Sequence, residues 1–461
     1  MGNYQGYQKY KDSGVEWLGD IPEHWITQKF IRVAFFQEGP GLRNWQFADN
    51  GIRVICVTNI TDKGIDFSSY QKFIEQEDYE KNYKHFTVKK KDLLLSSSGN
   101  SWGKVAEYDS DEIVILNTST IRINEHENLC VDRVFLKWIL QSFCLREQLG
   151  LLMTGACQPN FGPSHLAKTI ISIPPLNEQE KIAQFLDYKT KQIDELIKKK
   201  ETLIEKLDEK RTAIISHAVT KGLDSSVPMK DSGVEWLGEI PEHWEKSQLG
   251  YLAKVKARLG WKGLTAQEYV NDGYIFLATP NIKNEDYIDF QNVNYITSER
   301  YFESPEIMLE KNDILLVKDG STLGIVNIVR ELPSPSTVNS SIAVVRITKK
   351  LYSEFLFRWL TGLYIQSLIQ LMKGGQGVPH LFQADIKKFF IVIPPFSEQK
   401  QIAEYLDQKT TQIDQQKAKI QEAIELLKEY RTSLITNAVT GKIDVSQIAI
   451  PSPQKPQPQK G

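Results

Sequence analysis

The sequence predicts an α+β fold: two pseudo-symmetric, mostly-β domains separated by two long helices that pair as an antiparallel coiled coil. Three observations predict it. Residues Lys11–Trp25 and Lys230–Trp244 match at every position except Asp20/Glu239, 219 positions apart, and an internal repeat governs the rest of the reading. Ile171–Thr190 and Ile391–Thr410 share a Pro-Pro entry followed by apolar residues in alternating steps of four and three, 220 positions apart. Between these constant segments lie short Val- and Ile-rich runs, punctuated by turn residues, that differ widely between the two copies.

The matched segments divide the 461 residues into a first domain with its N-terminal repeat (1–175), a central helix (176–222), a second domain (223–395) and a C-terminal helix (396–442). Residues 443–461, rich in proline and glutamine towards the end, are expected to form a disordered tail. The length calls for more than one core. No apolar run approaches a membrane span, and the polar start MGNYQGYQKYKD does not read as a signal peptide, so a cytoplasmic protein is expected. Cys56, Cys130, Cys144 and Cys157 all fall in the first copy. A disulfide belonging to the repeated plan would appear twice, so reduced, packed thiols are expected.

In the first domain, the runs RVICVTNI, DLLLSSSG and EIVILNTSTIRI read as strands. In the second, YIFLATPNI, DILLVKDGSTLGIVNIV and STVNSSIAVVRI do so. VDRVFLKWILQSFCLREQL and YSEFLFRWLTGLYIQSLIQLM follow as amphipathic helices. Asp92–Leu95 with Gly99 and Gly103 matches Asp313–Leu316 with Gly320 and Gly324, which predicts one fold in both copies.

Each long helix starts after a Pro-Pro pair, which removes donors and fixes φ, ending the preceding strand. Asn177 and Ser397 stand where an N-cap belongs; Glu180 completes a capping box in the first copy and Lys400 spoils it in the second. The expected seam runs through Ile182, Leu186, Lys189, Ile193, Leu196, Lys200, Leu203, Leu207, Lys210 and Ile214. Its counterpart runs through Ile402, Leu406, Lys409, Ile413, Gln416, Ile420, Ala423, Leu427, Tyr430 and Leu434. Gly222 and Gly441 mark the ends, and ~40 residues make a rod of ~60 Å. Such a stripe also suits a helix packed on its own domain. Two equivalent units in one chain close most simply with pseudo-two-fold symmetry, which makes the helices antiparallel, with Lys189 and Lys409 fixing register.

A net charge of −2 gives no bulk sign of a nucleic-acid binder, so any such surface must be local. The divergent loops carry side chains suited to base edges: Arg43, Asn44, Asn59, Ser98, Asn100, Ser101, Gln158 and Asn160 in the first copy. The second copy offers Arg258, Trp261, Lys262, Asn281, Lys318, Ser321, Thr322, Gln376 and His380. Arg and Lys fit guanine O6/N7 and Asn and Gln fit adenine N6/N7, whereas Ser98 and Ser321 suit phosphate or backbone. Asn, Ser and Gly are equally what turns need for their own backbone bonds. Lys89–Lys91 and Lys387–Lys388 suit phosphates or a solvated surface. His24 and His243, repeat-matched between Glu and Trp, suit packing or a partner contact.

No catalytic set emerges. Gly99–Val105 is one residue short of a P-loop and lacks its hydroxyl. Ile393-Pro394-Pro395-Phe396 has isoleucine where an adenine methyltransferase carries Asn or Asp, and no His/Cys set has zinc spacing.

The duplicated KDSGVEWLG[DE]IPEHW, the helix entries IPPLNEQEKIAQFLD and IPPFSEQKQIAEYLD, and RLGWKGLTAQEY from Arg258 resemble the specificity subunit of type I restriction–modification systems over nearly the whole chain. The resemblance implies a non-catalytic subunit whose two domains are target-recognition domains, each reading part of a split double-stranded DNA target. It implies paired helices that space these domains and seat two modification (methyltransferase) subunits acting on adenine N6, joined by restriction (translocase-nuclease) subunits. The chain itself would hold no cofactor or metal; S-adenosylmethionine, ATP and Mg would belong to the partners. Two other readings fit the same residues: a coiled-coil adaptor that never reads DNA, and the recognition subunit of a related system whose partner fuses nuclease and methylase.

Overall fold

The computed structural model describes residues 4–126, 131–153, 159–258, 263–283, 286–348, 350–372 and 380–451. Contacts divide the chain into two units, residues 1–200 with 421–461, and residues 201–420. Each unit thus holds one β-rich domain, the start of one long helix and the end of the other. Among the described residues no helix is long and apolar enough to cross a membrane.

Both domains are built alike. In the first, a four-stranded antiparallel sheet runs in the order Val105–Glu107, Leu93–Ser96, Thr120–Glu125, Ala34–Glu38. Leu95 stands opposite Ile121, and Ile123 opposite Phe36. A second, mixed sheet orders Phe73–Ile74, Ile52–Ile55, Val114–Leu116 and Thr87–Val88, with the middle pair parallel. The second domain repeats the plan. Its four-stranded sheet orders Val326–Ile328, Ile314–Val317, Ile342–Ile347 and Ala253–Lys256; a three-stranded one holds Tyr274–Leu277 parallel to Ser336–Val338. The runs are apolar throughout because they are covered on both faces: Leu93, Leu94, Leu95 and Ile314, Leu315, Leu316 are all buried. Asp92 and Asp313 precede the equivalent strands and form ion pairs with Arg122 (3.7 Å) and Arg346 (2.7 Å), so each buried carboxylate is paired.

The central helix spans Leu176–Lys221 and the C-terminal helix Phe396–Val439. Both begin earlier than the expected caps. Pro175 O accepts from Glu178 N (2.9 Å) and Gln179 N (3.1 Å), and Pro395 O does the same for Glu398 and Gln399. The second proline closes each first turn, and Asn177 and Ser397 lie inside the helix rather than capping it. No capping box forms with Glu180.

Within each unit the two helices are antiparallel. In the second unit Asp208 pairs with Lys417 (2.6 Å) and Arg211 with Asp414 (3.7 Å), so an advance along one helix is a retreat along the other. In the first unit Asp194 pairs with Arg431 (2.9 Å). Asp194–Arg431 and Asp414–Arg211 are one ion pair made twice, with the copies exchanged. The seam departs from the expected one at every second step. Thr190 and Thr410 are buried in place of Lys189 and Lys409, and Leu196 and Leu203 are exposed while Ile197 and Ile204 are partly covered. An α-helix turns through 3.6 residues and drifts off a strict seven-residue stripe. Thr190 tolerates burial because its hydroxyl donates to Leu186 O at 2.7 Å. Lys189 and Lys409 instead place their ammonium groups over Tyr188 and Tyr405. Ile182, Leu186, Ile193, Leu207, Ile402, Leu406 and Ile413 are buried, and Ile420 and Leu427 are partly so.

The near-identical repeat is a clasp across the ends of this pair. Lys11–Trp25 folds as a hairpin, Tyr10–Asp12 against Asp20–Pro22, turned by Gly14 and Gly19 at φ 70° and 57°. Its buried Trp25 donates to Glu178 of the central helix at 3.0 Å, and His24 bonds the same carboxylate at 2.7 Å. Tyr7 donates to Glu178 at 3.1 Å, and burial together with that carboxylate holds its phenol well above the usual tyrosine range. The end of the C-terminal helix meets the other side: Tyr10 OH donates to Gly441 O, and a Cβ on Gly441 would stand 2.4 Å from Pro22. Gly441 also has φ 75°, so glycine is required there twice over.

In the second unit the roles exchange. Trp244 and His243 bond Glu398 at 3.1 and 2.9 Å, and Gly222 closes the central helix against Trp244 and Pro241. The next residue of each entry is fixed too: Gln179 bonds Asp132 N and Pro174 O, and Gln399 bonds Tyr352 N and Pro394 O. Removing the clasp acceptor with Glu178→Ala leaves the fully buried Trp25 N–H without a partner. A loss of about 1–3 kcal/mol is expected, read by urea denaturation, with Glu178→Gln losing less because it keeps an oxygen. Equal stability of wild type and Glu178→Ala would show that the clasp is not a stabilising contact.

The expected disordered tail starts too early. Ile443 and Val445 are buried, Ile448 and Ile450 pack on the same core, and Asp444 N donates to Gln5 O at 2.8 Å. Apolar side chains every two to three residues secure this stretch; residues 452–461 lie outside the described residues.

Candidate nucleic-acid interface

In the first unit four segment ends meet along one edge of the domain. The strand Leu93–Ser96 leads into a tight turn over Gly99–Ser101, made possible by Gly99 and Gly103 at φ 63° and 81°. Ser98 bridges to Asn160, Gly99 N donates to Pro159 O, and Phe161 N donates to Ser97 O. Ser97 N donates to Ser119 O, and Ser119 N donates to Glu38 Oε1 at 3.0 Å. Trp102 anchors the turn edge-on to Phe161, with the Arg146 guanidinium 4.5 Å from its ring centre. Ser98, Asn100, Ser101 and Asn160 are therefore brought together, with Asn100 and Asn160 exposed. Arg43 and Asn44 are exposed on a 3-10 turn, Asn44–Gln46, a few residues beyond Glu38.

The second unit has the same meeting of segments. Lys318 N donates to Ser341 O, Leu381 N donates to Lys318 O, and Asp319 bridges to His380 through backbone and side chain. Gly320 and Gly324 take φ 79° and 96°. Ser321 and His380 are exposed there and Thr322 is half-buried. Gln158, Trp261, Lys262 and Gln376 lie outside the described residues.

Four expected base-reading residues are built into the domains instead. Asn59 is fully buried and bonds Cys56 N, Asp66 O and Tyr70 O at 2.9, 2.9 and 2.8 Å. Asn281 makes the same three bonds to Ala278 N, Asp289 O and Asn292 O. Their amides complete loop backbones, and both Nδ2 hydrogens are spent, leaving none for adenine N7. Arg258 is 2% exposed and donates to Val338 O and Ser304 Oγ. Burial and the nearby Arg300 push its guanidinium below the ordinary arginine value. Lys318 is buried and bonds Asp319 at 3.0 Å. Of the lysine runs, Lys90 pairs with Asp111 and Lys388 with Asp385 on the surface.

Sequence reasoning overlooked two features. Trp45, beside Arg43 and Asn44, is 82% exposed; its signal was a tryptophan flanked by polar residues in a variable loop. Exposed apolar residues also recur at equivalent places, Trp17, Phe143 and Leu151 in the first unit and Trp236, Leu363 and Leu371 in the second. The latter three share one concavity of ≈ 290 Å³. Its frame is repeated, since Phe143 N donates to Thr436 Oγ1 and Leu363 N to Ser216 Oγ. Cys56 and Cys144 are buried and unbonded to each other; burial raises both thiols above the ordinary value. Among the described residues no His, Cys, Asp or Glu group is arranged to hold a metal.

The model of the type I restriction modification DNA specificity domain matches twice, over residues 35–206 and 241–426. The type I restriction enzyme EcoBI specificity subunit of Escherichia coli is 25% identical over 441 residues, covering 94% of this chain and 89% of that protein. The MjaVIII specificity subunit of Methanocaldococcus jannaschii is 25% identical over 370 residues, covering 79% and 82%. A chain from a structure described as the basis of complex assembly and conformational transition of the type I R-M system superposes with TM-score 0.67. It is 15% identical, with 92% of this chain and 99% of that chain covered, and so shares the fold.

Proposed function

The chain belongs to the specificity subunits of type I restriction–modification systems, and from that membership we propose that it reads a bipartite, asymmetric DNA target. The observation that carries the proposal is a constant frame with divergent tips. Each unit clasps its helix ends with the same Glu–Trp–His contacts, yet presents Arg43, Asn44, Asn100 and Asn160 in one case and Ser321, Thr322 and His380 in the other. Equivalent loops held by equivalent scaffolds read equivalent stretches of duplex, and different side chains on them select different bases. Among these loop residues, Ser98 and Ser321 suit phosphate contacts that fix register and not base edges. The residues outside the described ones, Gln158, Trp261, Lys262 and Gln376, belong to the same loops in sequence and remain assigned to target reading.

We further propose that the chain catalyses nothing itself and seats two methyltransferase subunits, through which restriction subunits join. Two copies of one partner require one surface twice, and the duplicated Trp17/Trp236, Phe143/Leu363 and Leu151/Leu371 patches supply it. S-adenosylmethionine, ATP and Mg then belong to those partners. The double variant Trp236→Asp/Leu371→Asp is expected to lower the methyltransferase count of the purified complex from two to one by native mass spectrometry. A complex that keeps two would place the seat elsewhere. An adaptor that never touches DNA would keep its partners but show no salt-dependent duplex binding, because no counterions would be released. The DNA-reading claim itself is tested by mapping the bases that the assembled enzyme methylates.

A further inference from the structure

Trp45 is more exposed than any other tryptophan among the described residues, and its turn is held firmly. Arg43 N donates to Gln46 Oε1 at 2.8 Å, and Gln46 Nε2 donates to Tyr83 OH at 2.6 Å. On either side Leu42 and Phe47 pack into the cluster of Val54, Ile74, Tyr79 and Ile115. The indole is thus presented outward by a rigid support rather than left on a loose loop. Two cations belong to the same turn region: Arg43, exposed, precedes Trp45 by two residues, and the Lys72 ammonium stands 5.0 Å from the ring centre of Phe47, two residues after it.

The equivalent turn of the second unit, Ala266–Glu268, is braced in the same way, with Thr265 N donating to Glu268 Oε2 at 2.8 Å. It carries the exposed Gln267 where the first unit has Trp45. That substitution separates Trp45 from the duplicated apolar patches. A surface for two copies of one partner needs the same residue twice, as with Trp17 and Trp236; a residue reading one half of an asymmetric target does not.

We propose that Trp45 stacks its ring on a nucleobase of the half-site read by the first unit, with Arg43 and Lys72 on the adjoining phosphates. A π-face with flanking cations is the chemistry that recognises an exposed or partly unstacked base. The inference rests on the DNA-reading function proposed above. The test uses the full complex with its methyltransferase subunits and a fluorescent duplex carrying the methylated motif determined for that complex. Trp45→Ala is expected to weaken binding by about 5- to 100-fold, within the range for loss of one base–aromatic stack, with Trp45→Phe recovering part of it. Base changes in the first half-site should then cost the variant less than they cost wild type, while changes in the second cost both equally.

Unaltered affinity and selectivity in Trp45→Ala would overturn the proposal. So would a complex that has lost a methyltransferase subunit by native mass spectrometry, since Trp45 would then be a protein contact. A wild-type complex that ignores the duplex altogether would instead sink the DNA-reading function on which the proposal rests.

Discussion

Excising one seven-residue repeat from each long helix, residues 197–203 and 422–428 together, is expected to shorten the gap between the two half-sites and leave the half-sites themselves unchanged. Equal excisions keep in step the register set by Asp194–Arg431 in the first unit and by Asp208–Lys417 in the second, so both ion pairs survive. Seven residues at ~1.5 Å each remove ~10 Å of helix, up to about three base pairs of duplex. The helices are the covalent route between the units, and no base-reading loop is touched. The change is read in the methylated motif of cells carrying the variant with its methyltransferase. Altered half-sites with an unaltered gap would show that the helices contribute to reading bases and do not measure distance. Excising from one helix alone should misalign the seam and abolish assembly.

Asp286→Ala is expected to destabilise the second unit by about 3 kcal/mol, the order found when one partner of a buried ion pair is removed. Asp286, on a loop of the second domain, accepts from Arg211 of the central helix at 2.9 Å and from Arg358, whose side chain is 2% exposed. Arg358 reaches on to Thr410 of the C-terminal helix at 3.3 Å, and Arg330 donates to the Asp286 carbonyl at 2.7 Å. One carboxylate therefore ties the domain to both helices. Burial pushes the Asp286 carboxyl up, but Arg358 and Arg211 outweigh it and hold the group below the ordinary aspartate value. Its folded pKa is thus lower than its unfolded one. The stabilisation is complete above the unfolded value, roughly pH 4, and is lost as the pH falls through the lowered folded value. Stability curves of wild type and Asp286→Ala should be separated by that amount near neutrality and converge in acid. A constant separation down to the acid end would mean that the loss came from packing and not from charge.

What the sequence revealed and what it hid follow from how each feature is written in it. The helices, their proline entries and their glycine ends were legible because they occur twice and obey local rules. The purpose of the repeat was not. Glu178 and Trp25 lie far apart in sequence, and only the fold shows that EHW and PPxxEQ are two halves of one contact. The seam was misread at alternate positions because Lys189 and Thr190 are adjacent, and a strict stripe does not show which of them faces the partner helix.

Loop asparagines posed a subtler difficulty. Asn59 and Asn281 carry the same amide a base reader would, but spend it on three backbone partners; recurrence in both copies at matched places was the sign that they serve the frame. Arg258 and Lys318 stand in divergent loops and carry side chains that suit guanine, but burial places them inside the domain. Asp286 and Arg358 left no trace in the sequence, because their contact is long-range and is made in the second copy by residues that differ from those of the first.

On the proposed function, two different readers on one duplicated frame recognise two different half-sites. Single-molecule methylation sequencing of DNA from cells carrying this chain and its methyltransferase subunit, against cells lacking the chain, tests it most directly. One methylated motif of two unlike half-sites is expected, separated by a fixed run of unspecified bases, with an adenine modified in each half. A continuous motif, a palindromic one, or no difference between the two cultures would contradict it.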